Sequence, residues 1–312
     1  MIRVTNTMLV NELTRNLNTN MRLMEKYHRQ LETGRKINRP SDDPAGLVKS
    51  LRLRTSLTEG QQYIGNIHEA INFMETTDAA FDNIGSIIHR IRVLTVNAAN
   101  TGVNDAGALN AIADEIEELN DQLKMIANTT YGSKHVFAGT NITEQPFRGG
   151  TPPDHWAGNN NNLELEIAIG VKMPINLTDE AMNNFFTKYD DIDGNSIDGG
   201  IFALVEKIGQ DIRAVADGDT SISIGENLTL LDSKMEDLLS ARSAIGAKIN
   251  RLELQLNRLE STQISYTELL SKNEDADQAE VIMYLKIQET VYRASLAAGA
   301  RIIQPSLIDF IR

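Results

Sequence analysis

Prolines stand only at positions 40, 44, 146, 152, 153, 174 and 305 of this 312-residue chain, which leaves two long stretches without one. A proline inside a helix costs about 3 kcal/mol, so the gaps permit long helices and the proline clusters mark where the chain turns. Helical periodicity fills these stretches and the N-terminal end. Val10, Leu13, Leu17, Asn20, Met24, Tyr27 and Leu31 recur at alternating steps of three and four, and Ile245, Ile249, Leu252, Leu256, Leu259, Gln263, Tyr266 and Leu270 repeat the spacing far downstream. Such spacing lays one mostly apolar stripe along each helix, the seam of a coiled coil, and a seam is unstable in water until another covers it. The expected fold is mainly α: a long coiled-coil-like helical rod of paired N- and C-terminal segments, carrying a small β-rich insert. Helices at both ends and different material between them suit an assembly subunit better than a pocket enzyme.

Aromatic residues make up only 5 % of the chain, which favours long, thin helical packing over a large globular core. The chain has no cysteine, so disulfides, thiol nucleophiles and thiolate metal sites are excluded. No charged start followed by an apolar core opens the sequence, so no cleaved secretory signal is expected. No apolar run approaches the ~18 residues of a membrane span, and no membrane insertion is expected. The net charge of −13 is uneven: residues 1–40 carry eight Lys/Arg against three Asp/Glu, a net of +5 that leaves −18 for the rest. An acidic chain lacks the excess cations that phosphate neutralisation needs, so nucleic acid is not an expected partner. The basic start reads as an ordinary helix face.

Along the chain, one amphipathic stretch runs from about Leu47 to Asn100, where Asn100-Thr101-Gly102 signals a stop. Leu109, Ile112, Ile116, Leu119, Leu123 and Ile126 then form a second helical seam. Asp114, Glu115, Glu117 and Glu118 lie off it and read as a solvated face rather than a metal cluster. From Tyr131 glycine, asparagine and proline become dense, as at Gly149-Gly150, Pro152-Pro153 and Asn159 to Asn162. The alternation from Leu163 to Met173 predicts a half-buried strand, so a β-rich insert is expected at roughly 138–200. Ile201 to Val215 reads as helix, Asp217-Gly218-Asp219 as a turn, and Asn273 to Asp277 as a break in the final helical run.

Candidate chemistry is sparse. Asp191-Ile-Asp193-Gly-Asn195-Ser-Ile-Asp198 resembles the start of a calcium loop, but Ser196 replaces the glycine at position six and Phe202 the glutamate at position twelve, so a turn is the better reading. The histidines at 28, 68, 89, 135 and 155 form no zinc-type pair. Neither a nucleophile elbow nor a phosphate loop is present. No cofactor and no enzymatic activity are expected. Trp156, the single tryptophan, reads as an anchor of the insert.

Gly34-Arg-Lys-Ile-Asn-Arg-Pro-Ser-Asp-Asp-Pro-Ala-Gly46 is a helix stop, an extended link and a restart, with Ser41 or Asp42 a candidate cap and Pro44 in the first turn. It resembles the signature of the flagellin superfamily, in which this link joins an inner terminal helix to an outer helical layer. Asn128 to Thr140 with Pro146-Phe147 is similar to the helix-to-hairpin passage of the hook-associated protein 3 family, which joins hook to filament. Arg242 to Leu252 and Tyr292 to Phe310 are similar to the returning helix and C-terminus of the same group. Flagellin itself is the nearest rival, and the start Met1-Ile-Arg-Val-Thr-Asn-Thr-Met8 and the ending Gln304-Pro-Ser-Leu-Ile-Asp-Phe310 depart from its usual pattern. The resemblance covers about 1–147 and 201–312 and leaves the insert unmatched.

The resemblance implies a structural subunit of the bacterial flagellum, secreted unfolded through type III export and placed extracellularly at the hook–filament junction. It implies a homo-oligomer in a helical ring, with hook-associated protein 1 on the hook side, flagellin on the distal side, and an export chaperone before assembly. Expected layers are 1–40 with 275–312 as the inner terminal layer, 41–137 with 218–274 as a helical bundle, and 138–217 as a β-rich outer insert with a trailing helix. Val10, Leu13, Leu17, Met24, Leu31, Val281, Leu285, Tyr292 and Leu296 are expected to lack partners until subunits assemble, and Gly34, Asn38, Pro40, Asp42, Asp43 and Pro44 to form a hinge. A filament subunit is the alternative. A signalling coiled coil fits the insert and the proline link poorly, and an enzyme carried by the insert has no supporting residues.

Overall fold

The computed structural model describes residues 6–100, 105–148, 155–177, 185–191, 195–219 and 222–303. Thr101-Gly102, Gly149-Gly150, Pro152-Pro153, Asp193-Gly194 and the terminal 304–310 motif lie outside them. The chain is mainly helical: α1 (Asn6–Thr33), α2 (Pro44–Ala99), α3 (Ala106–Ala127), α4 (Gly200–Ala216), α5 (Ile224–Glu274) and α6 (Gln278–Ile303). Between α3 and α4 lie four antiparallel two-stranded hairpins: β1 (Thr130–Tyr131) with β2 (Lys134–His135), β3 (Phe147–Arg148) with β4 (His155–Trp156), β5 (Glu164–Ala168) with β6 (Val171–Pro174), and β7 (Lys188–Asp190) with β8 (Ser196–Asp198). The chain divides into two compact units, residues 1–60 with 261–312 and residues 61–260, so α2 and α5 contribute to both.

The unit formed by residues 61–260 holds the larger core. Phe73, Phe81, Ile84, Ile88 and Ile91 of α2 meet Ile116 and Leu123 of α3, Phe202, Leu204, Val205 and Ile208 of α4, and Leu231, Leu238, Ile245 and Leu252 of α5, all buried. The α3 seam packs as its spacing predicts, with Leu109, Ile112, Ile116 and Leu123 buried and Leu119 and Ile126 half-buried against them. Asp105 caps α3, accepting the Ala108 amide at 2.8 Å. Ion pairs rim the core: Arg92 Nε to Asp232 at 2.6 Å, and Arg242 to Asp78 at 2.9 Å and to Asp82 at 2.7 Å. These pairs run α5 antiparallel to α2. Three of the four off-seam acids of α3 are also paired, Asp114 and Glu117 with Arg213, and Glu115 with Arg90.

The insert is tied to this core by aromatic rings. Phe147, Phe186 and Phe202 sit with ring centroids 5.0 to 5.8 Å apart, and Phe137 packs on Phe81 at 5.1 Å. Trp156 is half-buried and its Nε1 donates to the Phe137 carbonyl at 2.9 Å. One expectation changes here. The alternating run from Leu163 to Met173 is a hairpin rather than one strand: it turns at Ile169-Gly170, where Gly170 takes φ +69° and Ile169 stands in solvent. Alternation survives a turn whose two strands share one buried face, so periodicity alone does not reveal the reversal. The calcium-like run is not one turn: its Ser196 to Asp198 form β8 against β7, Asp191 is bonded to Lys207 at 3.1 Å, and 192–194 lie outside the described residues.

In the other unit, α1 and α6 run antiparallel against each other. Tyr27 stacks on Tyr284 with centroids 5.6 Å apart, and further along Gly299 sits against Leu13, where an added Cβ would come within 2.5 Å of Cδ2. The family resemblance set 1–40 with 275–312, while the spacing by itself offered the 245–270 stripe as the match for α1. Instead Ile245 and Leu252 are buried in the larger unit's core, with Ile249, Leu256 and Leu259 packed against it, and α6 covers α1.

Candidate assembly surface

The α1 stripe is placed as its spacing predicts: Val10, Leu13, Leu17, Asn20, Met24, Tyr27 and Leu31 are each half-buried. On α6 the covered stripe is Val281, Leu285, Gln288, Tyr292, Ser295 and Gly299, a four-three repeat of mixed character. Val281 and Leu285 are buried, Tyr292 is half-buried, and Leu296 falls off the stripe into solvent. Hence these expected interface residues are largely covered within one chain, because two antiparallel helices close each other's stripes. Polar and small members hide the α6 repeat from an apolar reading, and Gly299 lets α1 approach closely.

The apolar residues left in water on these helices are a different set. Met8, Leu9 and Met21 protrude from α1, and Ile282, Met283, Ile287, Val291 and Leu296 from α6. Within the same unit Val48 and Leu51 of α2 and Ile264 and Leu269 of α5 are also exposed. Scattered apolar surface is ordinary, but these residues are dense for a thin helix pair.

The link from α1 to α2 is a laced corner. Gly34 ends α1 with φ +68°, a left-handed conformation that residues with a Cβ avoid. Asn38 Nδ2 donates to the Arg35 carbonyl at 2.7 Å, and the Asn38 and Arg39 amides donate to Asp42 Oδ2 at 3.2 and 2.9 Å. Asp43 rather than Ser41 or Asp42 caps α2: its Oδ1 accepts the Gly46 amide at 2.9 Å, and Pro44 fills the first helical position. Asp42 is occupied within the link, which is why the cap moves one residue on. Pro40 is exposed and Ile37 is buried beneath the link.

This corner is bound to the break between α5 and α6. The Lys36 amide donates to the Glu274 carbonyl at 2.6 Å, the Ala276 amide to the Gly34 carbonyl at 2.9 Å, and Asn273 Nδ2 to the Gly46 carbonyl at 2.8 Å. Arg54 Nε donates to Glu274 Oε1 at 3.1 Å, and Arg35 Nε lies 3.9 Å from Oε2. Burial by itself pushes the Glu274 carboxyl up, but hydrogen bonds from Arg54 and Ser50 and the charges of Arg54 and Arg35 outweigh it and hold the group below the usual carboxylate range. Glu274, Arg54 and Ser50 carry no signal in the sequence: a lone Glu before a helix break looks like any surface acid.

Among the described residues no group of three or more His, Cys, Asp or Glu is arranged to hold a metal, and no helix is long and apolar enough to cross a membrane.

Comparison with known proteins agrees with this architecture. The bacterial flagellin N-terminal helical region matches residues 4–142, and the bacterial flagellin C-terminal helical region matches residues 228–311. A flagellin of Bacillus subtilis is 30 % identical over 297 residues, covering 94 % of this chain and 92 % of its own. The flagellar hook-associated protein 3 of Escherichia coli is 24 % identical over 283 residues, covering 88 % of each. Among solved structures, the hook-associated protein 3 of Legionella pneumophila superposes with TM-score 0.63 at 14 % identity, over 70 % of this chain and 97 % of that one. FlgL of Xanthomonas campestris gives 0.59 at 14 % identity, over 71 % and 99 %. The chain belongs to the flagellin family, as a flagellar structural subunit with the fold of the hook-associated proteins.

Proposed function

We propose that this chain is the subunit that joins hook to filament, secreted and placed outside the cell, and that it acts by packing rather than by catalysis. The observation that carries the assembly role is the apolar surface left open on the α1–α6 pair by Met21, Ile282, Ile287, Val291 and Leu296. Burying it against neighbouring subunits releases about 25 cal/mol per Å² of apolar area, a driving force available only in the assembled state. Repetition of one heterologous contact through a fixed rotation generates a ring or short helical tube. In this reading residues 1–40 with 275–312 form the inner layer, 41–137 with 218–274 the bundle and 138–217 the outer insert. Hook-associated protein 1 lies on one side of the ring and flagellin on the other, and an export chaperone shields the terminal helices beforehand. The covered stripe residues, Val10 to Leu31 and Val281 to Tyr292, set the geometry of the pair, and Leu296 meets a neighbour directly.

What supports the junction rather than the filament wall is the start Met1 to Met8, the ending Gln304 to Phe310 and the likeness in fold to hook-associated proteins. A filament subunit is the second reading, favoured by the 30 % identity to the Bacillus subtilis flagellin across nearly its whole length. Deleting the gene in its own flagellated bacterium and imaging the cells separates the two. Hooks without filaments, with flagellin lost to the medium, establish the junction role. Loss of the filament with no flagellin released assigns the chain to the filament wall, and normal filaments overturn both.

A further inference from the structure

Glu274 lies at a corner of the unit that carries the proposed assembly surface, with its side chain 7 % exposed. Its partners Arg54 and Arg35 stay 41 % and 50 % exposed, so the cluster is open to solvent on its cationic side. Such a half-exposed pair is screened by water and adds little stability, whereas its fixed geometry sets register. The surroundings point the same way. The Glu274 carboxylate is held by Arg54 and Ser50 of α2, with Arg35 of the α1–α2 link nearby, while its backbone carbonyl accepts the Lys36 amide. In the opposite direction, the Gly34 carbonyl accepts the Ala276 amide. One residue thus ties the exit of α1, the start of α2 and the α5–α6 break into a single joint.

We propose that Glu274 is the positioning residue of the terminal helix pair, a clamp through which the α1–α2 link and the α5–α6 break open and close together. The inference rests on the assembly reading for its consequence, since α1 and α6 both leave this joint and their exposed residues keep a fixed register only while it is shut. It does not rest on that reading for its test. Cutting the clamp frees both bends at once, whereas a purely local role of Glu274 frees only its own.

Hydrogen exchange followed by mass spectrometry on the full monomeric chain reads both bends directly, through the Lys36 amide on one and the Ala276 amide on the other. In E274Q both segments are expected to exchange faster by a similar factor, roughly tenfold or more for the loss of one charge-assisted hydrogen bond. Amides of residues 61–260 are expected to stay unchanged. R54Q, which removes the guanidinium partner of the carboxylate, is expected to speed the same two segments together, whereas S50A would also cut the Asn273 Nδ2 bond to Ser50 Oγ at 2.6 Å. Acceleration at only one bend, or at neither in both variants, overturns the clamp. The monomer readout is independent of assembly, so a failed gene deletion phenotype leaves this result standing and the reverse holds equally.

Discussion

Glu274 shows how much a single side chain depends on where the fold takes it. As an ionised acid held below its ordinary pKa, it adds stability above the unfolded carboxylate range, and that contribution fades as pH falls through this range toward the folded value. Acid is therefore expected to loosen the smaller unit from about pH 5 downward, and E274Q to flatten that pH dependence. Circular dichroism at 222 nm across an acid titration of both proteins checks it. Asp43 makes a second test at this scale. Removing its cap in D43A is expected to cost about 1 kcal/mol, seen by denaturant unfolding, while S41A, which leaves the cap bond intact, costs a few tenths or less.

At the scale of helices, α6 has two faces with different tasks. Leu285 is buried against the pair, so L285D is expected to destabilise the monomer by about 3 kcal/mol or more, since it buries an unpaired charge. Ile287 and Leu296 are exposed, so I287D and L296D are expected to leave the melting temperature of the monomer within about 2 °C while reducing polymerisation. Sedimentation of assembled material beside a thermal melt separates the faces. Equal loss of stability in all three variants removes the distinction. The stripe on α1 was readable because apolar side chains occupy nearly every position of its repeat. On α6 Val281, Leu285 and Tyr292 were readable, but Gln288, Ser295 and Gly299, which occupy the other three of its six positions, were not. Likewise the β5–β6 hairpin kept its alternation across Gly170, so the residues advertised a strand and concealed the turn.

In the whole molecule the two units are unequally filled. The 61–260 unit encloses a continuous core of aromatic and aliphatic side chains from four helices and the hairpins. Among the described residues, the large apolar side chains buried in the other unit are Ile37, Val281 and Leu285. Local stability follows buried apolar contact, so amides of α1 and α6 are expected to exchange well before those of α3 and α4, and heating to melt the smaller unit first. Simultaneous exchange of all helices at one rate contradicts that ranking. A subunit whose terminal pair is thinly packed alone gains most when neighbours cover it, which ties the weakness of this unit to its proposed use.

The helical class, the long proline-free elements, the α1 and α3 seams, the corner between Gly34 and Pro44 and the place of the insert were all legible in the residues alone. Each is written in local periodicity or in residues with restricted backbones, and local physics suffices to read them. Folding in three dimensions selected the stripe that pairs with α1, which spacing alone leaves open, the apolar residues that remain in water, Asp43 as the cap, and the meeting of Glu274 with Arg54 across 220 positions of sequence. Those outcomes depend on which surfaces meet after the chain reverses. Helical spacing states that a stripe needs a cover and is silent on which stripe supplies it, because every apolar seam satisfies that requirement equally well until geometry selects one.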